Sequence, residues 1–93
     1  MKNEKDELLD QFISYLRFER GYSEKTVESY STDLYEAKKF WQQNGGFNSW
    51  QKVTERDIQI YLQHLADRKL ARSSQGRQMS SLHSFYRFLI KRR

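Results

Sequence analysis

The chain has 93 residues, a net charge of +5, and neither cysteine nor proline. That length holds one domain, since single domains run from about 50 to 250 residues, and the core it can bury is modest. The lack of cysteine excludes a disulfide framework and a zinc ribbon, and the longest apolar run, Phe88 to Ile90, is far short of the ~20 residues that cross a bilayer.

Four segments repeat their apolar residues at helical spacing. The first runs from about Glu4 to Glu19, with Leu9, Phe12, Ile13 and Leu16 on one stripe and Gly21 placed to end it. The second begins after Ser23, an N-cap residue followed by Glu24 in the first turn. Val27, Tyr30, Leu34 and Trp41 line its inner face with Ala37 beside them, and Asn44-Gly45-Gly46 terminates it. Residues 47–53 form a loop that Phe47 and Trp50 are expected to pin to the core.

The third helix follows Thr54, where Thr-Glu-Arg-Asp is a capping box with Asp57 in the place of Glu. Ile58, Tyr61, Leu62 and Leu65 are its stripe. Ser73 or Ser74 is expected to cap the fourth helix, in which Met79, Leu82, Phe85, Tyr86 and Leu89 fall within one broad inward stripe. No strand alternation of useful length and no internal repeat is present, so the predicted class is all-α, a compact four-helix domain.

The charge is unevenly placed. All twelve Asp and Glu lie in residues 1–67 alongside nine Lys and Arg, a net −3, whereas residues 68–93 hold eight Lys and Arg and no acid, a net +8. Such polarity points to an anionic partner for the last quarter of the chain. The outer face of the fourth helix carries Arg77, Ser80, Ser84, Arg87 and Lys91, with His83 at its border, and Arg72, Ser73, Ser74 and Gln75 lie at its N-terminal end. Arginine offers planar paired donors to phosphates and guanine edges, serine donates to phosphate oxygens, and a helix N-terminus favours phosphate. A major groove about 12 Å wide admits one such helix. The second helix has a related outer face of Lys25, Ser29 and Thr32, with Glu36 limiting any duplex contact to its first two turns. His64 and His83 read as ordinary boundary residues, no metal site or cofactor is expected, and Tyr30, Tyr61 and Tyr86 read as core rings rather than nucleophiles.

Several stretches, in order, resemble a known family. GYSEKTVESYSTDL, residues 21–34, is similar to the first signature of the tyrosine recombinase (phage integrase) N-terminal domain through Ser23, Thr26, Tyr30, Asp33 and Leu34. VTERDIQIYLQHL resembles its third helix, and ARSSQGRQMSSLHSFYRFLIKR its fourth, through Ser74, Arg77, Met79, Ser80, Ser81, Leu82, His83, Ser84, Phe85 and Tyr86. The nearest subgroup is the Xer type, which resolves chromosome dimers; mobile-element integrases use the same scaffold. The resemblance implies a SAM-like orthogonal bundle of two crossed helical hairpins. It implies double-stranded DNA as partner, contacted by the second and fourth helices, and other recombinase subunits in a synaptic tetramer. The expected contact set is then Lys25, Thr26 and Ser29 with Arg72, Ser74, Gln75, Arg77, Ser80, Ser81, Ser84, Arg87 and Lys91.

The departures are instructive. His83 stands where arginine is common, and Gly76, a residue that costs a helix roughly 1 kcal/mol relative to alanine, is expected to loosen the first turn of the fourth helix. The family's chemistry uses an Arg, a Lys, a His-x-x-Arg pair and a nucleophilic Tyr, all in a larger domain. His64 to Arg68 and His83 to Arg87 each have three residues between them, so neither fits that pair. Residues 1–93 therefore read as an N-terminal core-binding domain, cut near an interdomain linker at IKRR and without the catalytic domain. The expected location is the cytoplasm, no membrane being involved. A helical protein-interaction module docking an acidic partner is the alternative, with Phe88 as a candidate anchor for a neighbouring subunit. A helix-turn-helix repressor fits less well, because about ten residues separate the second and third helices.

Overall fold

Asp6 opens the first helix and ties it to two distant parts of the chain. A computed structural model describes residues 6–91. Asp6 is extended and its carboxylate accepts from the backbone N–H of Leu9 at 3.1 Å, so helix α1 starts at Glu7 and runs to Ser14. The expected start at Glu4 lies outside the described residues. The same carboxylate accepts from Lys38 Nζ at 3.0 Å and Trp50 Nε1 at 2.8 Å. Desolvation is the largest single influence and pushes the Asp6 pKa up. The donors from Trp50, Lys38 and Leu9, with the Lys38 charge, outweigh it and hold the group below its ordinary 3.8. A depressed carboxylate contributes stability that is present above 3.8 and is lost as the pH falls through the lower folded value. Acid titration of stability by denaturant melts is expected to show a loss below 3.8 that Asp6→Asn removes; an unchanged acid limb in that variant would contradict the assignment.

Beyond Ser14 the helix widens into a π-helical turn, Tyr15–Glu19. There Arg20 N–H reaches back five residues to the Tyr15 carbonyl at 3.0 Å, and Tyr22 N–H closes on the Leu16 carbonyl at 3.0 Å. Gly21, at φ +65°, makes the left-handed exit that the sequence places there. Helix α2 spans Glu24–Gln43, capped by Ser23 Oγ accepting from Thr26 N–H at 3.2 Å. It ends where Gly46 N–H returns to the Trp41 carbonyl at 2.8 Å. A 3₁₀ turn, Trp50–Lys52, precedes helix α3, Glu55–Asp67. The Thr54 and Asp57 capping box forms in both directions, at 3.1 and 2.9 Å.

Helix α4 spans Arg72–Lys91, so Ser73 and Ser74 lie inside it rather than capping it. The Ala71 carbonyl accepts the first helical bond, from Gln75 N–H at 3.1 Å, and the Gln75 side chain donates to the Leu70 carbonyl at 2.8 Å. No strand occurs among the described residues. The protein is an all-α SAM-like bundle in which α2 packs on α1, α3 and α4, and α3 packs on α4.

The core joins Leu9, Phe12 and Leu16 to Val27, Leu34, Ala37 and Trp41, then to Trp50, Tyr61, Leu65, Leu82 and Phe85. Rings meet at its centre: Phe85 is edge-on to Trp50 at 4.8 Å and to Phe12 at 5.2 Å. Trp50 is buried as expected, while Phe47 is half-buried and stacks on Trp41 at 6.3 Å. One stripe, that of α4, needs correction. Met79 was expected inward and is 40 % exposed, while the polar Gln78 and Ser81 are buried in its stead. The buried sector of α4 is centred on Phe85, and positions 78 and 81 lie seven and four residues before it, on the same face. Their polar atoms have partners there: Tyr61 donates its hydroxyl to Gln78 Oε1 at 2.7 Å, and Ser81 reaches α2. Burial, above all, pushes the Tyr61 pKa up, in keeping with a phenol that stays neutral.

Candidate nucleic-acid interface

Positions 77, 80, 84, 87 and 91 recur at intervals of three and four, which keeps them on one side of α4. Arg77, Ser80, Arg87 and Lys91 are exposed and Ser84 is half-buried. They form a strip about 20 Å long at 1.5 Å per residue. Neither Arg87 nor Lys91 has an ion-pair partner among the described residues. The small hydroxyl residues Ser80 and Ser84 precede these two cations on the strip and leave the helix able to approach a polyanion closely.

Arg77 differs from its neighbours. Its guanidinium donates through Nε to Asp33 Oδ2 at 3.1 Å and through Nη2 to Asp33 Oδ1 at 2.8 Å, a forked pair between α4 and α2. Ser81 Oγ donates to the same Oδ2 at 2.8 Å. The side chain of Arg77 is 53 % exposed and that of Asp33 only 1 %. Asp33, above all through its hydrogen bonds, raises the Arg77 pKa further. The pair neutralises a carboxylate that would otherwise repel a polyanion beside the strip. It also fixes how α2 lies against α4.

Asp33 in turn places the start of α2. Residues 26, 29 and 33 share one side of that helix at three- and four-residue steps. Thr26 and Ser29 therefore sit on the flank that meets α4 through Asp33, with Thr26 exposed and Ser29 half-buried. Lys25 is exposed at the outer edge. At the N-terminal end of α4, Arg72 is exposed while Ser74 and Gln75 are half-buried. Gln75 already donates its amide to Leu70.

Of the twelve expected contact residues, one must be withdrawn. Ser81 is 0 % exposed and its hydroxyl is bonded to Asp33, so it faces the core and not a ligand. The remaining residues stay at the surface or its edge, on the α4 strip, its N-terminal end, or the first turns of α2. His83 is exposed but borders a groove between α3 and α4, lined also by Leu62, Met79 and Ile90. Among the described residues no group of three or more His, Cys, Asp or Glu is placed to hold a metal ion, and no helix is long and apolar enough to cross a membrane.

Comparison with known proteins gives a consistent answer. The family model described as "Phage integrase, N-terminal SAM-like domain" matches residues 9–93. Tyrosine recombinase XerC of Lactobacillus delbrueckii subsp. bulgaricus is 55 % identical over 85 residues, covering 91 % of this chain and 28 % of that protein. Tyrosine recombinase XerC of Lacticaseibacillus casei is 46 % identical over 80 residues, covering 86 % and 27 %. That of Listeria monocytogenes serotype 4a is 38 % identical over 84 residues, covering 90 % and 28 %. The chain thus spans little more than a quarter of the length of these relatives. No solved structure gives a significant match.

Proposed function

The chain belongs to the family of phage integrase N-terminal SAM-like domains, and from that premise we propose that it is the DNA-holding arm of a site-specific tyrosine recombinase, gripping duplex DNA with α2 and α4. The observation that carries the reading is the α4 strip, with two cations that have no ion-pair partner among the described residues, Ser80 and Ser84 before them, and a buried carboxylate nearby already occupied by Arg77. Arg87, Lys91, Ser80 and Ser84 are the phosphate and base-edge contacts, supported by Arg72, Ser74 and Gln75 at one end and by Lys25, Thr26 and Ser29 across from α4. The chemistry of strand exchange belongs to a catalytic domain in the remainder of the polypeptide. On its own this domain binds duplex weakly and cleaves nothing. In a full-length recombinase it works with other subunits of a synaptic tetramer in the bacterial cytoplasm, in chromosome dimer resolution or mobile-element integration.

Phosphate neutralisation sets the salt dependence. With about five contacts, log K falls against log salt with a slope near −4 to −5. Arg87→Ala is expected to reduce the steepness by about 0.9 and to weaken duplex binding about eightfold at 0.1 M salt, the counterion-release share of one phosphate. Arg87 is exposed and has no ion-pair partner among the described residues, so the fold is retained. Titration of a fluorescent duplex across a salt series checks this; an unchanged slope would remove α4 from the interface. The alternative, an acidic protein docked on the same strip, predicts that an acidic polypeptide competes as well as duplex does at equal charge.

A further inference from the structure

The unpaired cations of α4 meet a third one from outside the strip. Arg20, at the exit of the π-helical turn, shares a cleft of about 200 Å³ with Ser84, Arg87 and Lys91. Its floor is Phe12 and Leu16, and Tyr15, Tyr22 and Phe88 stand as walls. Among the described residues no carboxylate lines it. Asp10 and Glu19 lie on the neighbouring surface that Lys91 also borders, and Glu24 is held by Arg17 at 2.6 Å. Arg20 is not loose. Its Nη2 donates to the Tyr22 hydroxyl at 3.0 Å, and its guanidinium lies over the Tyr22 ring at 5.3 Å from the centroid. A hydrogen bond with Tyr15, more than any other influence, pushes its pKa up.

From this geometry we infer that Arg20, Arg87 and Lys91, with the hydroxyl of Ser84, form a phosphate-binding cleft that takes one backbone phosphate of the duplex. The inference rests on the DNA reading above and extends the contact from α4 to the α1 exit. Three cations line a cleft that no acid lines among the described residues, and such a lining favours an anion. Two guanidiniums supply planar paired donors, the ammonium a point charge and the serine a further donor, a set suited to a tetrahedral oxyanion. At about 30 Å³ per water, the cleft has room for a phosphate group and several waters. The aromatic walls restrict Arg20 before the ligand arrives, so less side-chain freedom is lost on binding. Ser84, Arg87 and Lys91 belong both to the cleft and to the strip, so a duplex lying along the strip passes its mouth.

Two measurements on the 93-residue chain test the site. In the first, inorganic phosphate is titrated into labelled protein and amide shifts are followed. Movement at Tyr22, Ser84 and Arg87 that is absent in Arg20→Ala supports the cleft. In the second, duplex affinity is measured across a salt series for the wild type, Arg20→Ala and Arg20→Lys. Arg20→Ala is expected to lower the slope by about 0.9 and the affinity about eightfold at 0.1 M salt, and Arg20→Lys to restore the slope. Phosphate shifts in the cleft with an unchanged duplex slope overturn the assignment to the DNA backbone and leave a free-anion site. Neither shifts nor slope change overturns the cleft altogether. Phosphate shifts in a wild type that binds no duplex support the cleft and overturn the DNA reading, so the two failures are told apart.

Discussion

Arg77→Ala is expected to destabilise the protein by about 3 kcal/mol, far more than an exposed arginine normally costs. Removing one partner of a buried ion pair costs about 3 to 5 kcal/mol, because the other charge stays buried and uncompensated. Here the stranded group is Asp33, with a side chain 1 % exposed and only the Ser81 hydroxyl left to solvate it. The lower end of the range applies, because the outer half of Arg77 is in water and its removal lets some water reach the carboxylate. Asp33→Asn is expected to cost less, since the guanidinium it frees can turn to solvent. Denaturant melts of both variants at neutral pH check the ranking. For a domain of this size 1 kcal/mol corresponds to about 4 to 8 °C in Tm, so the Arg77→Ala melt should lie more than ~10 °C below the wild type. Equal stability of Arg77→Ala and wild type would show that the pair has no structural weight. Any duplex-binding loss in that variant has to be read on folded protein, because Arg77 acts first on the fold.

Phe85→Ala is the second large effect, at about 3 to 5 kcal/mol. Phe85 is fully buried and touches rings from three parts of the chain: Phe12 of α1, Trp50 of the loop before α3, and Tyr86 beside it at 5.5 Å. Truncation removes the side chain that these rings pack against and leaves a cavity they fill only in part. A domain of 93 residues has about 5 to 14 kcal/mol in total, at roughly 0.05 to 0.15 per residue, so the variant gives up about a fifth of it or more. Phe85→Leu, which keeps most of the volume, is expected to lose much less. A loss under 1 kcal/mol for the alanine variant would mean that the neighbouring rings collapse into the space.

The elements most legible in the sequence were those written in local chemistry. The Ser23 cap, the Thr54 and Asp57 box, the Gly21 exit and the double-glycine stop all act within a few residues of themselves, and all formed as expected. The apolar stripes of α1, α2 and α3 were readable for the same reason. What escaped was set by contacts between helices far apart in the chain. Asp33 stands one position before Leu34, at the edge of a buried face, and nothing near it in sequence declares that Arg77 and Ser81 will meet it 44 and 48 residues later. The rotation of α4 that buries Gln78 and exposes Met79 follows from those polar partners, whereas periodicity alone assigns the inward face to the more apolar residue. Arg20 is not legible as part of the basic surface, because it lies in the net-acidic residues 1–67 and outside the basic block 68–93. A cation supplied by α1 joins that surface only once the chain has folded.

The knot at Asp6 has a consequence for how the molecule comes apart. One carboxylate serves as helix cap, ion-pair partner of Lys38 and acceptor for the Trp50 indole, across sequence separations of 32 and 44 residues. Fraying of the first turn of α1 therefore undoes anchors on α2 and on the segment before α3 in the same event. Opening at the amino end is cooperative rather than piecemeal, and those three stretches belong to a single unit of local unfolding and hydrogen exchange.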